Sequence, residues 1–94
     1  MNDQQTIPEV TIVLPAFNEE QSIRTTIAKI RDLHPDVEIL VVDDGSTDGT
    51  KSAAEKAGAR VYSHPYNIGN GAAVKTGLRQ AGGKWIIMMD ADGQ

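Results

Sequence analysis

Four short apolar runs, each followed by a polar turn, set the pattern of this chain. Residues 10–14, 37–42 and 60–64 are rich in β-branched and apolar side chains, which favour strands. Residues 85–89 are five apolar positions in a row, and such a run predicts a strand that is buried on both faces. Pro15 is expected to end the first strand, because proline has no N–H to donate to a sheet ladder.

The segment after the first strand has the spacing of an amphipathic helix. Ile23, Ile27 and Ile30 recur at intervals of three or four residues, which indicates one buried face. The helix is predicted to run to about Leu33. Asn18 is the candidate for its N-cap, because asparagine side chains accept hydrogen bonds from the first backbone N–H groups of a helix.

Two further helices complete a regular alternation with the strands. The second ends near Ala57, with Gly58 as its C-terminal stop, and the third covers residues 72–81 after a glycine-rich turn. The order is β-α-β-α-β-α-β, and connections of this kind join parallel strands by right-handed crossovers. We therefore expect the α/β fold class, with an open, doubly wound and mostly parallel sheet. The N-cap of the second helix is predicted to be Ser46, Thr47 or Asp48.

Length and composition fit one small domain. Residues 1–8 are predicted to be a flexible leader, and residues 9–94 the domain itself. Hydrophobic residues make up 39% of the chain and charged residues 23%, which is typical of a globular protein. The formal net charge is -4 without a basic block, so nucleic acid is excluded as the main partner.

The residue types also limit the cellular compartments in which the protein is expected. The chain has no cysteine, which excludes a disulfide framework and a thiolate zinc site. No apolar run is long enough to cross a membrane, and residues 1–9 are too polar for a signal peptide. We expect a cytoplasmic location.

Acidic side chains gather where the predicted strands end. Glu19 follows the first strand, Asp43 and Asp44 end the second, and Asp90 and Asp92 follow the fourth. Ligands of open α/β sheets bind at the carboxyl ends of the strands, so these acids are expected to lie together at the binding edge. Five carboxylates repel one another unless a positive group lies among them, and a bound cation would supply one.

The segment after the fourth strand, Asp90-Ala91-Asp92-Gly93-Gln94, has ligand types that suit a hard divalent cation. Oxygen ligands at this spacing fit Mg²⁺ or Mn²⁺, above all an ion shared with a diphosphate. The alternative is an ordinary turn, which Asp and Gly form readily. Glu19 and Asp48 have a comparable alternative at helix N-termini, where negative charge is stabilising, and for Asp48 we favour it.

The other strand exits carry further candidates. Side chains alternate along a strand, so Asp43 and Asp44 are expected to face opposite ways, and Asp44 is preferred for contact with a base or ribose. Phe17 is expected either to stack on a base or to staple the first helix. The glycine-rich turn at residues 67–71 opens a helix, whose N–H groups could face an anion. The two histidines, each beside a proline, are expected at the surface.

Together these segments resemble the family 2 glycosyltransferases of the GT-A fold, which include dolichol-phosphate mannose synthases and bacterial polyprenyl-phosphate sugar transferases. The matching segments, in the family's order and spacing, are VTIVLPAFNEE (residues 10–20), EILVVDDGSTDGT (38–50), NIGNGAAVKTGL (67–78) and MDADGQ (89–94). The resemblance implies the N-terminal half of a GT-A, Rossmann-like domain. Asn70 departs from the Lys or Arg common in the family, which weakens a phosphate contact there.

The resemblance implies a site for a GDP- or UDP-linked sugar and a divalent cation, Mg²⁺ or Mn²⁺. The metal would neutralise the charge that develops on the departing nucleoside diphosphate. Asp90 and Asp92 correspond to the family's metal-binding D-x-D motif, and Gln94 to a third metal ligand. The residues implied to bind the nucleotide sugar are Pro15, Phe17, Glu19, Val42, Asp43, Asp44, Asp90 and Ala91.

The same resemblance implies an activity. Members of this branch invert the anomeric centre and pass the sugar to a polyprenyl or dolichyl phosphate at the cytoplasmic face of the membrane. The family continues well beyond the D-x-D motif. We therefore expect residues 9–94 to be a nucleotide-sugar-binding half that is inactive alone, with the acceptor site and the catalytic acid outside this chain.

Two hypotheses from other classes stay open on the sequence. A receiver-type signalling domain also binds Mg²⁺ in an acidic cluster at strand ends, although its paired aspartates follow the first strand and these follow the second. Labelling with acetyl phosphate would reveal it. A structural half-domain would form a homo-oligomer through an exposed sheet edge without any ligand, which light scattering would detect.

Overall fold

The computed structural model describes residues 8–91, which form a four-stranded sheet with three helices. Every predicted element is present within about two residues of its expected bounds. Residues 1–7, most of the predicted leader, lie outside the described residues. The strands are β1 (Val10–Ala16), β2 (Glu38–Asp43), β3 (Arg60–Ser63) and β4 (Trp85–Met88), and the helices are α1 (Glu20–Leu33), α2 (Thr50–Lys56) and α3 (Asn70–Gln80).

All neighbouring strands are parallel, and their order across the sheet is β3-β2-β1-β4. The chain runs outward from β1 to β3 and then returns to the other side of β1. The direction of progress therefore reverses between β1 and β4. In open α/β sheets, ligands bind outside the carboxyl ends of the strands at this switch point.

Helices cover both faces of the sheet. On one face, Ile27 of α1 packs in the same cluster as Val41 of β2, and α2 contributes to that cluster as well. On the other face, Ala73 of α3 packs with Val13 and Leu40. Two right-handed crossovers in one direction place α1 and α2 together, and the reversal places α3 opposite. The doubly wound parallel sheet confirms the predicted fold class.

Pro15 does not end β1, so that prediction is wrong. The strand continues in register with β2, and the carbonyl of Ala16 accepts a hydrogen bond from Asp44 N at 2.8 Å. Neighbouring strand residues direct their backbone groups to opposite sides, so Pro15 faces the β4 side. There the register ends at the pair Val13–Met88. The ladder therefore does not need the N–H that proline lacks.

Among the described strands, β4 lies at one edge of the sheet and is not buried on both faces, contrary to the prediction from its apolar run. It pairs with β1 on one side, and Trp85 and Ile87 are 66% and 48% exposed. An apolar run shows that a strand can be buried. Which layers cover it depends on the other elements of the fold.

Asn18 is not the N-cap of α1, a position that Glu19 occupies. Asn18 has a left-handed φ of 52°, which asparagine tolerates better than most residues. Its Oδ1 accepts a hydrogen bond from Thr47 N at 2.8 Å, and its own N–H donates to Ser46 Oγ at 2.9 Å. Asn18 therefore joins the loop after β1 to the loop after β2.

The helices of the described part are short. The longest is α1, with 14 residues, and none within residues 8–91 combines the length and hydrophobicity needed to cross a bilayer.

Candidate nucleotide-sugar site

Two adjoining cavities open at the carboxyl edge of the sheet. The first, of about 280 Å³, lies between the ends of β1 and β2 and the start of α3. The second, of about 320 Å³, lies between the end of β1, α3 and the end of β4. Pro15 and Asn70 line both cavities, so the two are neighbours at the switch point. Phe17, Glu19, Asp44, Asn67 and Gly69 line only the first, and Met88, Met89 and Asp90 only the second.

Asp44 forms a buried hydrogen-bonded wall of the first cavity. Its Oδ1 lies 2.7 Å from His64 Nδ1 and accepts a hydrogen bond from Ile68 N at 3.0 Å. Its Oδ2 accepts hydrogen bonds from Gly69 N at 2.8 Å and from Asn67 Nδ2 at 3.1 Å. An ionised carboxylate has about four acceptor positions, so these partners use its whole capacity.

These partners keep Asp44 ionised. Burial alone would raise the pKa of Asp44, but the hydrogen bonds from His64, Ile68 N and Gly69 N and the charge of His64 outweigh burial, and the pKa lies below its ordinary value. Asp44 is therefore a carboxylate at neutral pH, although its residue is only 4% exposed.

Asp43 is also buried, but it lines neither cavity. Its Oδ1 accepts a hydrogen bond from Ser46 N at 3.1 Å, and its Oδ2 accepts one from Ser63 Oγ at 3.2 Å. The two adjacent acids thus have different surroundings, as the alternation of side chains predicted.

Hydrogen bonds at the starts of α1 and α2 hold the loops after β1 and β2 together. Asp48 accepts hydrogen bonds from Thr50 N at 2.9 Å, where α2 begins, and from Glu20 N at 3.3 Å, where α1 begins. The Thr50 hydroxyl donates to Asp48 and accepts from Glu19 N at 2.8 Å. Glu20 Oε1 accepts a hydrogen bond from Gly49 N at 3.1 Å. Asp48 therefore lies at the starts of both helices, and the network places Glu19 at the first cavity.

The N-cap of α2 is Gly49, without a side-chain cap hydrogen bond. The prediction that Ser46, Thr47 or Asp48 is the N-cap of this helix is therefore wrong.

The predicted metal-binding segment begins at Asp90, which is exposed and lines the second cavity. Ala91 is buried, and its carbonyl accepts hydrogen bonds from Ser22 Oγ at 3.3 Å and Thr26 Oγ1 at 3.1 Å. Helix α1 thereby anchors the turn directly after Asp90. Within residues 8–91, no group of three or more acidic, His or Cys side chains is arranged to hold a metal ion. The remaining predicted metal ligands lie outside the described residues: Asp92 and Gln94.

Hydrogen bonds within the protein compensate part of the negative charge of the acids at the carboxyl edge of the sheet. The sequence led us to expect that five neighbouring carboxylates need an added positive group. Asp44 instead has His64 and backbone N–H groups as partners, and Asp43 has Ser46 and Ser63. Repulsion among the acids therefore does not by itself require a cation on the Asp44 side of the rim.

Comparison with known proteins identifies the family. Residues 11–94 match the sequence model of the family described as Glycosyl transferase family 2. The chain belongs to glycosyl transferase family 2.

Two named glycosyltransferases are similar to the chain, one in sequence and one in fold. The undecaprenyl-phosphate 4-deoxy-4-formamido-L-arabinose transferase of Pseudomonas fluorescens is 40% identical over 88% of the chain, which spans 27% of that relative. A mannosyltransferase of Pyrobaculum calidifontis, solved in complex with GDP-Man and Mn²⁺, has a TM-score of 0.82 and 30% identity over 90% of the chain and 28% of its own. The chain therefore spans less than a third of these relatives.

A second solved structure adds a different nucleotide. Glucosyl-3-phosphoglycerate synthase from Mycobacterium tuberculosis, in complex with Mn²⁺, UDP and its product, has a TM-score of 0.78 and 36% identity. The similarity covers 88% of this chain and 33% of that one. Similar glycosyltransferases thus bind guanosine or uridine nucleotides together with Mn²⁺.

The structure brings most of the predicted nucleotide-sugar-binding residues to the two cavities. Pro15, Phe17, Glu19 and Asp44 line the first, and Asp90 lines the second. Three others lie outside the lining of both cavities. Val42 is fully buried in the cluster beneath α3, and Asp43 and Ala91 are buried as described above. Contact of each residue with a nucleotide sugar stays a prediction.

His64 was expected at the surface because a proline follows it, and this prediction is wrong. The residue is only 8% exposed. The strand register contains the signal that identifies it, because β2 and β3 are parallel with Asp43 opposite Ser63. One step further along both strands places Asp44 beside His64. An acid and a histidine that follow neighbouring parallel strands are thus candidates for a pair.

Proposed function

We propose that this chain provides the nucleotide-diphosphate-sugar site of a metal-dependent glycosyltransferase. The observation that carries the proposal is the pair of adjoining cavities at the switch point between β1 and β4. One cavity has Asp44 in its wall, the other has Asp90, and both share Pro15 and Asn70. A nucleoside with an attached diphosphate has a shape that fits such a continuous path.

The first cavity suits the base and ribose. Its volume of about 280 Å³ is close to the lower end of small-molecule sites, roughly 300 Å³. Phe17 is 43% exposed at this position and offers an aromatic face for stacking. Glu19 and Asn67 add polar groups that can recognise a base edge or sugar hydroxyls.

The junction of the two cavities suits the diphosphate. Helix α3 begins there with Asn70, which lines both cavities. The first N–H groups of a helix have no partner within the helix, and the helix dipole makes this end favourable for negative charge. An anion can bind there without a basic side chain, which is relevant because Asn70 carries no charge.

A divalent cation fits the Asp90 side of the site. Asp90 is an exposed carboxylate, and Asp92 and Gln94 follow it with two further oxygen donors. Carboxylate and amide oxygens are ligands that both Mg²⁺ and Mn²⁺ accept. When bound, the cation neutralises the charge that develops on the departing nucleoside diphosphate. The Mn²⁺ in two similar solved structures supports this assignment.

For the acceptor we propose a polyprenyl phosphate, with inversion at the sugar carbon, at the cytoplasmic face of a membrane. The named activity of the Pseudomonas relative on undecaprenyl phosphate supports the acceptor. We assign no residue of the described part to the acceptor or to acid–base catalysis.

Nucleotide binding tests the proposal. Calorimetric titration and thermal unfolding are carried out with GDP, UDP, GDP-mannose and UDP-glucose, each with Mn²⁺, with Mg²⁺ and with EDTA. We expect at least one nucleotide to bind and to raise Tm only when a metal is present, since a ligand that binds the folded state stabilises it. Asp90→Asn should reduce the metal-dependent binding, and Asp32→Asn, on the exposed surface of α1, should not. An unchanged Tm for all four ligands with either metal contradicts the proposal.

A further inference from the structure

We propose that His64 is a positioning residue for the nucleotide cavity, because it holds the Asp44 carboxylate that fixes the wall segment of residues 67–69. This inference rests on the proposed function of the cavity. It gives Asp44 a task other than direct contact with the ligand, namely the alignment of backbone and side-chain groups that line the site.

The His64 ring is held at both nitrogens. Its Nδ1 lies 2.7 Å from Asp44 Oδ1, and its Nε2 lies 2.7 Å from Thr76 Oγ1. All three residues are buried, so water does not compete for these contacts. An ionised carboxylate only accepts hydrogen bonds, so Nδ1 carries a proton and donates it. His64 thus connects the end of β3 to Asp44 on one side and to α3 on the other.

Asp44 passes this constraint on to the cavity wall. The carboxylate accepts hydrogen bonds from Ile68 N, Gly69 N and Asn67 Nδ2. With His64 included, its acceptor positions are filled, and a ligand can use the carboxylate only by displacing one of these partners. One buried anion therefore holds three consecutive residues, through the backbone N–H groups of Ile68 and Gly69 and the side-chain amide of Asn67.

The wall segment needs such a constraint. Gly69 has a φ of +127°, a region that side-chain-bearing residues rarely adopt, and it directly precedes α3. A glycine in a loop loses much conformational freedom on ordering, and here the bonds to Asp44 stabilise the ordered form. Asn67 and Gly69 both line the first cavity, so the freedom of this segment determines the shape of the site.

Two matched pairs of variants separate positioning from packing. His64→Asn keeps an N–H donor near the position of Nδ1, and His64→Leu removes it. Thr76→Ser keeps the hydroxyl that contacts Nε2, and Thr76→Val keeps the shape without the hydroxyl. Calorimetric titration with the nucleotide that the wild-type chain binds, in the presence of Mn²⁺, measures the affinity of each variant, and urea unfolding measures its stability.

We expect His64→Leu to weaken nucleotide binding about 10-fold or more, the scale on which loss of a buried partner that orients a ligand-binding group acts. His64→Asn should recover most of this loss, and Thr76→Val should bind more weakly than Thr76→Ser. His34→Asn, at an exposed position, should bind as the wild type does. Equal affinity of the folded His64→Leu and His64→Asn proteins overturns the inference.

A measurement without ligand keeps the inference separate from the proposed function. Amide hydrogen exchange of Ile68 and Gly69 reports their bonds to Asp44, and the chain's two histidines give separable ring signals in long-range ¹H–¹⁵N spectra. We expect a proton on Nδ1 of His64 and faster exchange of both amides in His64→Leu than in His64→Asn. If the wild type binds no nucleotide, the proposed function fails, and these amides still decide whether His64 fixes the segment. Unchanged exchange in His64→Leu overturns it.

Discussion

Gly45 lies directly against the backbone of Tyr66, so the chain after β2 touches the chain after β3 at the carboxyl edge of the sheet. A Cβ atom on Gly45 would overlap the backbone of Tyr66 and Asn67, and the residue has a φ of +74°. This contact holds the turn after Asp44 against the segment that leads to Gly69 and the first cavity.

Gly45→Ala is expected to destabilise the fold by about 1–3 kcal/mol, because an added methyl group would force these two backbones apart and strain a left-handed φ. Gly71→Ala is the matched control, since a Cβ at Gly71 meets open space in the first turn of α3. Urea unfolding of both variants measures the difference. Equal free energies of unfolding would show that the contact does not restrict the turn.

Asp44 predicts a pH-dependent contribution to stability. The pKa of Asp44 in the folded state lies below its ordinary 3.8. Its ionised form therefore stabilises the fold above about pH 4, and this stabilisation is lost as the pH falls through the lowered folded-state value. Asp44→Asn should cost about 3–5 kcal/mol at neutral pH, because it leaves buried donors and His64 without their anion.

The difference in the free energy of unfolding between Asp44→Asn and the wild type should shrink at about pH 3, where the unfolded wild type binds an additional proton. Urea unfolding at about pH 7 and about pH 3 checks the sign. Asp36→Asn, at an exposed position after α1, is the control for general charge effects. A difference that stays constant over this range would mean that folding does not lower the pKa of Asp44.

We predict that one positive charge at position 70 strengthens nucleotide binding. Asn70 lines both cavities where we place the diphosphate, and it carries no charge. Asn70→Lys should tighten nucleoside diphosphate binding by about 1 kcal/mol at low salt, with a smaller gain at high salt, because the added charge is partly exposed. Ser52→Lys on the exposed side of α2 adds the same charge elsewhere and should have no effect. Titration at two salt concentrations distinguishes the two variants.

We predict that the hydrogen bond between Thr26 of α1 and Ala91 increases metal affinity. The Thr26 hydroxyl donates to the carbonyl of Ala91, directly after Asp90. Thr26→Val keeps the side-chain shape and removes this donor, at a cost of about 1 kcal/mol in stability. We also expect weaker Mn²⁺ binding, because the turn that carries Asp90 is less well anchored. Thr25→Val, at the exposed neighbouring position, is the control. Mn²⁺ titration in the presence of nucleotide measures the effect, and equal affinities of the two variants would contradict it.

The elements and the fold class were predictable because they depend on local pattern. The 3–4 spacing of Ile23, Ile27 and Ile30 specifies a buried helical face wherever the helix packs. The regular alternation of strands and helices leaves parallel crossovers as the connection, and their handedness restricts the topology. The acidic residues that follow the strands could likewise be placed at one edge of the sheet, since the carboxyl ends of parallel strands coincide there.

The predictions that were wrong used local sequence rules at positions where contacts with remote parts of the chain decide the structure. Pro15 continues its strand because the side without an N–H faces no ladder partner, which depends on where β4 ends. Asn18 is a residue type that often caps helices, but here it forms hydrogen bonds with Ser46 and Thr47 in the loop after β2. β4 has the composition of a central strand but lies at the edge of the sheet.

Local composition and spacing were thus sufficient to predict the strands, the helices, the parallel orientation of the strands and the edge of the sheet at which polar groups collect. The roles of individual polar side chains were decided by packing, because their partners are remote in sequence. His64 meets Asp44 from 20 residues away, and Thr26 meets Ala91 from 65 residues away. Such contacts exist only once the crossovers bring separate strand exits together, and burial then makes each hydrogen bond strong enough to determine what a side chain does.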